Sequence, residues 1–397
     1  VLIAPLRTLL GFRSDNYKSA IGWKRIPYIW FGSLWQFGGL AIMPFSLIVL
    51  SGDQTVGPSW AGEFLVALAF LLTGLGLHMT QTAGLALAAD KATDETRSRV
   101  VALLYLMFLI GMGVSAVIIG ALLANFSQFR LIQVIQGAAV VTLLLNLVAM
   151  WRQEHVVPTR SSEMLAEKPK FVDSWNDFIK RGYAGKLLLV VVMGTLAFSM
   201  QDILLEPYGG EILGLSVSAT TSLTSLWVLG AVLGLGVAAR GFQRSFQPAN
   251  FAALALIIGI VGFLGIIFSH PMNVPTLYFL GACLIGFGSG LFAVSTLSIA
   301  MSIPVDKGVG RGLALGSWGA AQATAAGVGV ALGALVKDFV GNLAVAGELG
   351  GALNNLATGY NFVYHLEILL IFVTLVVLGP LAQHLNRVNR SKKNLSK

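Results

Sequence analysis

Apolar residues run along this chain in long stretches separated by short polar connectors. A helix needs about 20 apolar residues to cross a bilayer core. Ten stretches reach that length: 26–50, 60–88, 100–125, 131–150, 187–207, 217–239, 250–270, 276–303, 311–336 and 361–385. Most carry almost no charge over their central turns. Two connectors are longer, at 151–186 and 337–360. The pattern predicts an all-α membrane protein with ten spans.

Lysine and arginine concentrate on the cytoplasmic side of membrane proteins. Place the first loop (Arg7, Arg13, Lys18, Lys24, Arg25) in the cytoplasm and alternate sides at each span. All of the 26 basic residues except Arg130 and Lys337 then fall inside. One miscounted span would scramble that partition, so it supports the count of ten as well as the orientation. The linker at 151–186 and the C-terminus are expected in the cytoplasm.

The longer inside connector leaves four spans before it and six after it. A local echo explains the inequality. Asp90-Lys91, followed by Arg97 and Arg99, comes after the second span; Asp306-Lys307, followed by Arg311, comes after the eighth. Each precedes a glycine-rich helix, so the second and eighth spans read as equivalent members of two repeats. The chain is therefore expected to be the last ten helices of a twelve-helix protein. Two six-helix halves joined by a cytoplasmic linker describe the major facilitator architecture. The expected organisation is an N-terminal bundle at 1–150, a linker at 151–186, a C-terminal six-helix bundle at 187–385 and a basic tail at 386–397. Gly230/Gly234, Gly312/Gly316 and Gly329/Gly333 are spaced for close helix approach within lipid. In the linker, Phe171, Val172, Trp175, Phe178 and Ile179 form an apolar face flanked by Lys168, Lys170, Lys180 and Arg181. That face suits an anionic membrane surface, or the segment is simply a tether.

Composition agrees. Charged residues are 11% of the chain and hydrophobic ones 56%, whereas a soluble domain carries about 25% charge. The net charge of +8 is scattered among loops, so it reads as a topology signal and no nucleic-acid partner is expected. A single cysteine, Cys283, leaves no disulfide framework. The sequence holds no Cys/His cluster, nucleophile–base pair or phosphate loop, and no enzymatic activity is expected.

Candidate chemistry is sparse. The first loop, Gly11-Phe-Arg-Ser-Asp15 followed by Gly22-Trp-Lys24-Arg25, resembles the major facilitator loop signature with extra residues inserted. Asp15 is expected to pair with a basic residue, and Lys24 or Arg25 to sit at a helix end. Gly11, Asp15, Lys24, Arg25, Asp90, Arg97, Asp306 and Arg311 are thus candidates for a latch, or form a positive-inside loop and nothing more. Ionisable groups inside spans raise functional hypotheses. Asp202 and Glu206 lie one turn apart near the outer end of the fifth span, and His365 and Glu367 begin the tenth on that side; all four are otherwise interfacial. His78 lies well inside the second span in Leu-His78-Met-Thr-Gln81-Thr, and Gln36 falls at similar depth. A neutral imidazole there is suited to the magnesium of a chlorin, or is a histidine hydrogen-bonded to a neighbouring helix. No other metal site is expected.

Three runs go further: GFRSDNYKSAIGWKRIPYIWFGSLWQFGGLAIMPF, HMTQTAGLALAADKATDETRSRVVALLYLMFLIGMGVSA and QDILLEPYGGEILGLSVSATTSLTSLW. They resemble the PucC/LhaA family, the bacteriochlorophyll-delivery branch of the major facilitator superfamily. The similarity extends from the first loop to the end of the tenth span. The first loop is most similar to the branch serving the light-harvesting 1 complex. The resemblance implies a non-enzymatic assembly factor in the photosynthetic inner membrane of a bacterium, handling non-covalent bacteriochlorophyll, with carotenoid or lipid as further ligands. Implied partners are antenna polypeptides, the reaction centre, and pigment-synthesis or membrane-insertion machinery. An alternating-access transporter and a permanent structural subunit of a photosynthetic complex are the alternatives. His78, Gln81 and Gln36 are candidate pigment contacts read from the residues and not from the family.

Overall fold

The computed structural model describes residues 3–17, 22–50, 60–93, 96–123, 127–154, 169–180, 183–244, 246–303 and 310–395. They are helical almost throughout. A short α1, Leu6–Asp15, precedes α2 (Ile26–Leu50), α3 (Ala61–Lys91), α4 (Arg97–Leu122) and α5 (Gln128–Met150). A ten-residue α6 (Phe171–Lys180) leads into α7 (Ala184–Ser199), a 3-10 turn at Met200–Ile203, and α8 (Leu205–Glu211). Then follow α9 (Val217–Gln243), α10 (Pro248–Ser269), α11 (Pro275–Met301), α12 (Arg311–Val345) and α13 (Ala357–Leu395).

Among the described residues nine segments, α7 through α8 counted as one, are long and apolar enough to cross a membrane. In α4 the described apolar stretch, Leu106–Ser115, is shorter than a span requires. The chain is a multi-pass membrane protein. The ends bearing the basic loops are called the basic face below.

Glycine sets the helix spacing. With no hydrophobic drive between helices in lipid, close backbone approach supplies the packing. Gly230 and Gly234 of α9 lie against the backbone oxygens of Cys283 and Phe287 in α11. Gly312 and Gly316 of α12 lie against those of Gly11 and Arg7 in α1, and Gly333 against that of Met200 at the 3-10 turn. All three sequence pairs therefore sit in helix contacts. At the far end of α12 the chain reverses through Gly347 and Gly350, at φ 79° and 88°, a region where a Cβ is strained.

The apolar face of α6 does not lie free on a membrane surface. Phe178 is 1% exposed, and Phe171 stacks edge-on against Phe12 of α1 at 5.4 Å between ring centres. Packing against the bundle core thus takes up the face that the sequence offered to lipid, leaving Val172 and Ile179 exposed.

Candidate functional site

On the basic face, four segments converge on Arg25. This arginine precedes α2 and is 1% exposed. Its Nη2 donates to Asp15 Oδ1 at 2.5 Å and to Asp90 Oδ2 at 3.1 Å; Nε donates to Asp90 Oδ2 at 3.2 Å and Nη1 to Ser14 Oγ at 2.6 Å. The planar fork of donors suits a buried arginine to this multiple pairing. Asp15 turns its carboxylate to the start of α12, accepting from the amides of Gly312 (2.9 Å) and Leu313 (2.7 Å). Those amides have no intrahelical partner, and the helix dipole favours an anion there. Arg311 closes the ring, donating to Ala89 O at 2.7 Å and pairing with Asp90 Oδ1 at 3.4 Å. Asp15 and Arg25 come from the first half of the chain and α12 from the second, so the cluster ties the two bundles together.

The structure brings Gly11, Asp15, Arg25, Asp90 and Arg311 together. Lys24 is exposed and pairs with no described acid. Asp306 and the side chain of Arg97 lie outside the described residues. Two members carried no sequence signal. Ser14 fills an unspecified position inside the first-loop motif, and Glu154, 129 residues from Arg25, caps α2 by accepting from the amides of Arg25 and Ile26.

Arg7 needs correction. Counted with the loop charges, it is a buried residue of α1, 5% exposed. Its Nε donates to Thr82 Oγ1 in α3 at 3.1 Å and Nη1 to Gly319 O in α12 at 3.3 Å. Beside it a cavity of about 380 Å³ lies between the bundles, lined by Arg7, Gln81, Gly84, Leu85, Leu104, Phe108, Trp318 and Gln322. With 1.5 Å of rise per residue, Arg7, Gln81 and Trp318 stand roughly 10–14 Å in from the charge cluster. The cleft is walled by leucine and aromatic side chains, with one guanidinium and two amides as its polar groups.

His78 is half-buried, one turn before Gln81 on the same side of α3. Its Nδ1 is buried without a hydrogen-bond partner among the described residues. Gln36 is not part of this group. Its backbone lies against Gly76 in the α2–α3 contact, and His78, two residues on, points roughly 200° around the helix.

The far half of the second bundle departs furthest from expectation. The fifth span is broken: α7 stops at Ser199 and α8 resumes at Leu205. Glu367 does not sit at an interface. It lies ten residues into α13 and is 0% exposed, with Oε1 accepting from the backbone amide of Gln201 at 2.7 Å. Asp202 and Glu206 do share one side, lining a cavity of about 250 Å³ with Gln201, Leu205, Leu223, Thr224 and Trp227. Glu206 accepts from Thr224 Oγ1 at 2.6 Å and Asp202 from Gln201 Nε2 at 2.5 Å. His365 is exposed, its Nδ1 2.7 Å from Asn361 O.

Solved structures show the fold. A bacterial homologue of the iron transporter ferroportin, in an outward-facing state, superposes with a TM-score of 0.68 at 16% identity, covering 95% of this chain and 88% of that one. The major facilitator transporter FucP, in the outward conformation, gives 0.66 at 14% identity over 95% and 86%. The fold is that of the major facilitator superfamily. The family model described as PUCC protein matches residues 1–385, and this chain belongs to that family. An uncharacterized protein from the puhA-bchM intergenic region of Rhodobacter capsulatus is 55% identical over 96% of this chain and 80% of its own length. Protein PucC of Rhodobacter capsulatus is 45% identical over 96% and 82%. The bacteriochlorophyll synthase 44.5 kDa chain of that species is 27% identical over 76% and 71%.

Proposed function

We propose that this chain is a non-enzymatic assembly factor that handles bacteriochlorophyll while light-harvesting polypeptides are built around the reaction centre. The observation that carries the reading is the cleft between the bundles. Its walls are Leu85, Leu104, Phe108 and Trp318, and its lining includes no carboxylate. A binding pocket of that kind, apolar with a few placed polar groups, orients an apolar ligand through those groups. Arg7, Gln81 and Gln322 would meet the carbonyl oxygens at the edge of a chlorin.

The residues fit the pigment. His78 would hold the magnesium of a chlorin, since its imidazole Nδ1 has no described protein partner and it lies one turn from the cleft-lining Gln81. Bacteriochlorophyll, when bound, supplies the near-infrared absorbance by which it is detected. Carotenoid or lipid would suit the same apolar walls. Family membership supports antenna polypeptides, and pigment-synthesis or membrane-insertion machinery, as partners. The setting that follows is the photosynthetic inner membrane, with the basic face in the cytoplasm.

One observation favours a second reading, alternating-access transport: charged contacts join the bundles at one face, where a rocking motion would have to break them. The test is co-purification of the tagged protein from phototrophic membranes under mild detergent. Bacteriochlorophyll and antenna polypeptides are expected together, with a lower pigment ratio in His78→Ala and unchanged polypeptide recovery. Absence of both pigment and antenna polypeptides would sink the proposal.

A further inference from the structure

We propose that the break in the fifth span is a proton-binding site, in which Glu367 carries a proton that fixes the turn between α7 and α8. The inference is independent of the pigment reading. Pro207, in the first turn of α8, has no amide to give Ile203 O and clashes with that carbonyl, so the span breaks before it. What the break does is release the amide of Gln201, and Glu367 Oε1 takes it at 2.7 Å.

The remaining polar atoms do not balance. Glu367 is 0% exposed and its Oε2 has no partner among the described residues. Gln201 is also 0% exposed; its Nε2 donates to Phe198 O and Asp202 Oδ1, which leaves its Oε1 equally without a partner. Two buried acceptors therefore belong to residues joined by that backbone hydrogen bond, and among the described residues neither has a donor. An ionised carboxylate with a single backbone amide for company is costly in a dry interior. One proton on Glu367 removes the charge and adds a donor where the described residues provide none.

A route exists. Gln201 lines the cavity that it shares with Asp202 and Glu206, and both acids are exposed there. The step is a plain transfer: the Oε2–H bond of Glu367 breaks, and the proton passes to the Asp202 carboxylate or to water in that cavity. No redox partner is needed. The titratable groups acting on Glu367 are Asp202 on the turn and Tyr364 on α13. Of the helices packed around it, α10 has no ionisable residue and α7 has only Lys186, near its start on the basic face. In α12 the charges besides Arg311 are Lys337 and Asp338, which pair with each other. Among the described residues no three His, Cys, Asp or Glu side chains converge as a metal site requires, which favours a proton over a multivalent cation. The consequence reaches α8, whose Tyr208 packs against Tyr278, Tyr360 and Tyr364.

Infrared difference spectroscopy on the full chain in lipid nanodiscs tests this across a titration from mildly acid to mildly alkaline. The carboxylic-acid carbonyl band should persist at neutral pH, vanish in Glu367→Gln and remain in Asp202→Asn. In a Cys283→Ser background, maleimide labelling at Ile203→Cys should change severalfold over the titration and become flat when Glu367→Gln is added. A missing band at neutral pH, a band that survives Glu367→Gln, or labelling with the same pH dependence in that variant overturns the proposal. Should Glu367→Gln fail to fold, Gln201→Leu removes the orphaned oxygen and should shift the band. An unshifted band then counts equally against it.

Discussion

Asp15→Asn is the sharpest perturbation of the contact between bundles. The carboxylate of Asp15 accepts from the amides of Gly312 and Leu313 and pairs with Arg25, a guanidinium 1% exposed. Asparagine keeps the shape but offers one acceptor in place of two, and turns an NH₂ toward another donor. A hydrogen bond to a charged group contributes about 1.5–3 kcal/mol, and breaking a buried ion pair costs about 3–5 kcal/mol. These overlap, and Asp90 still pairs with Arg25, so the lower end, about 3 kcal/mol, is the expected cost. At about 1.4 kcal/mol per decade, that raises the separated population roughly a hundredfold. Ser317 reports on it: the residue is 2% exposed and borders a cavity with Thr8 of α1. Maleimide labelling of Ser317→Cys in a Cys283→Ser background should accelerate by about that factor when Asp15→Asn is added. If the doubly altered protein stays folded and labels no faster, Asp15 does not hold the bundles together and the reasoning fails.

The same cluster separates buried from exposed pairing. Arg25→Ala should lower stability by about 3–5 kcal/mol because it strands Asp15, whereas removing the partly exposed Arg311–Asp90 pair should cost about 1 kcal/mol or less. Thermal unfolding in detergent would rank them, and equal losses would contradict the burial argument. Glu154→Ala removes the cap of α2 and should cost about 0.5–2 kcal/mol, seen as a modest drop in the same unfolding midpoint. Gly333→Leu puts a side chain against the Met200 carbonyl and should abolish monodisperse elution on size exclusion. Normal elution would show that α12 can move away from the broken span.

Spans, glycine contacts and the Asp15–Arg25 pairing were legible because each is a local pattern. Apolar length announces a span, and Gly312/Gly316 announces a close contact whatever the partner. Arg7 was misread for a physical reason. A guanidinium near a run of loop charges looks like one of them, and only Thr82 and Gly319, 75 and 312 residues away, reveal its burial. The broken span had a local signal in Pro207, which cannot continue a helix running through Ile203. What stayed hidden is the partner of the amide the break frees, Glu367, 166 residues on, which two residues after His365 reads as interfacial. The cleft was legible only in part: Gln81 was marked by its depth, but Leu104, Phe108, Trp318 and Gln322 are ordinary span residues until the bundles are packed.

The cleft between the bundles is where the account is most exposed. Gly84 lines it, and a Cβ built there meets nothing within 4 Å, so Gly84→Trp fills the space without disturbing a helix contact. Bacteriochlorophyll titrated into the full chain in nanodiscs, read by near-infrared absorbance and quenching of tryptophan emission, should saturate at a defined stoichiometry. In Gly84→Trp the affinity should fall at least about tenfold, equivalent to about 1.4 kcal/mol. Binding that never saturates, or that is unchanged in Gly84→Trp, would contradict the claim that this cleft receives the pigment.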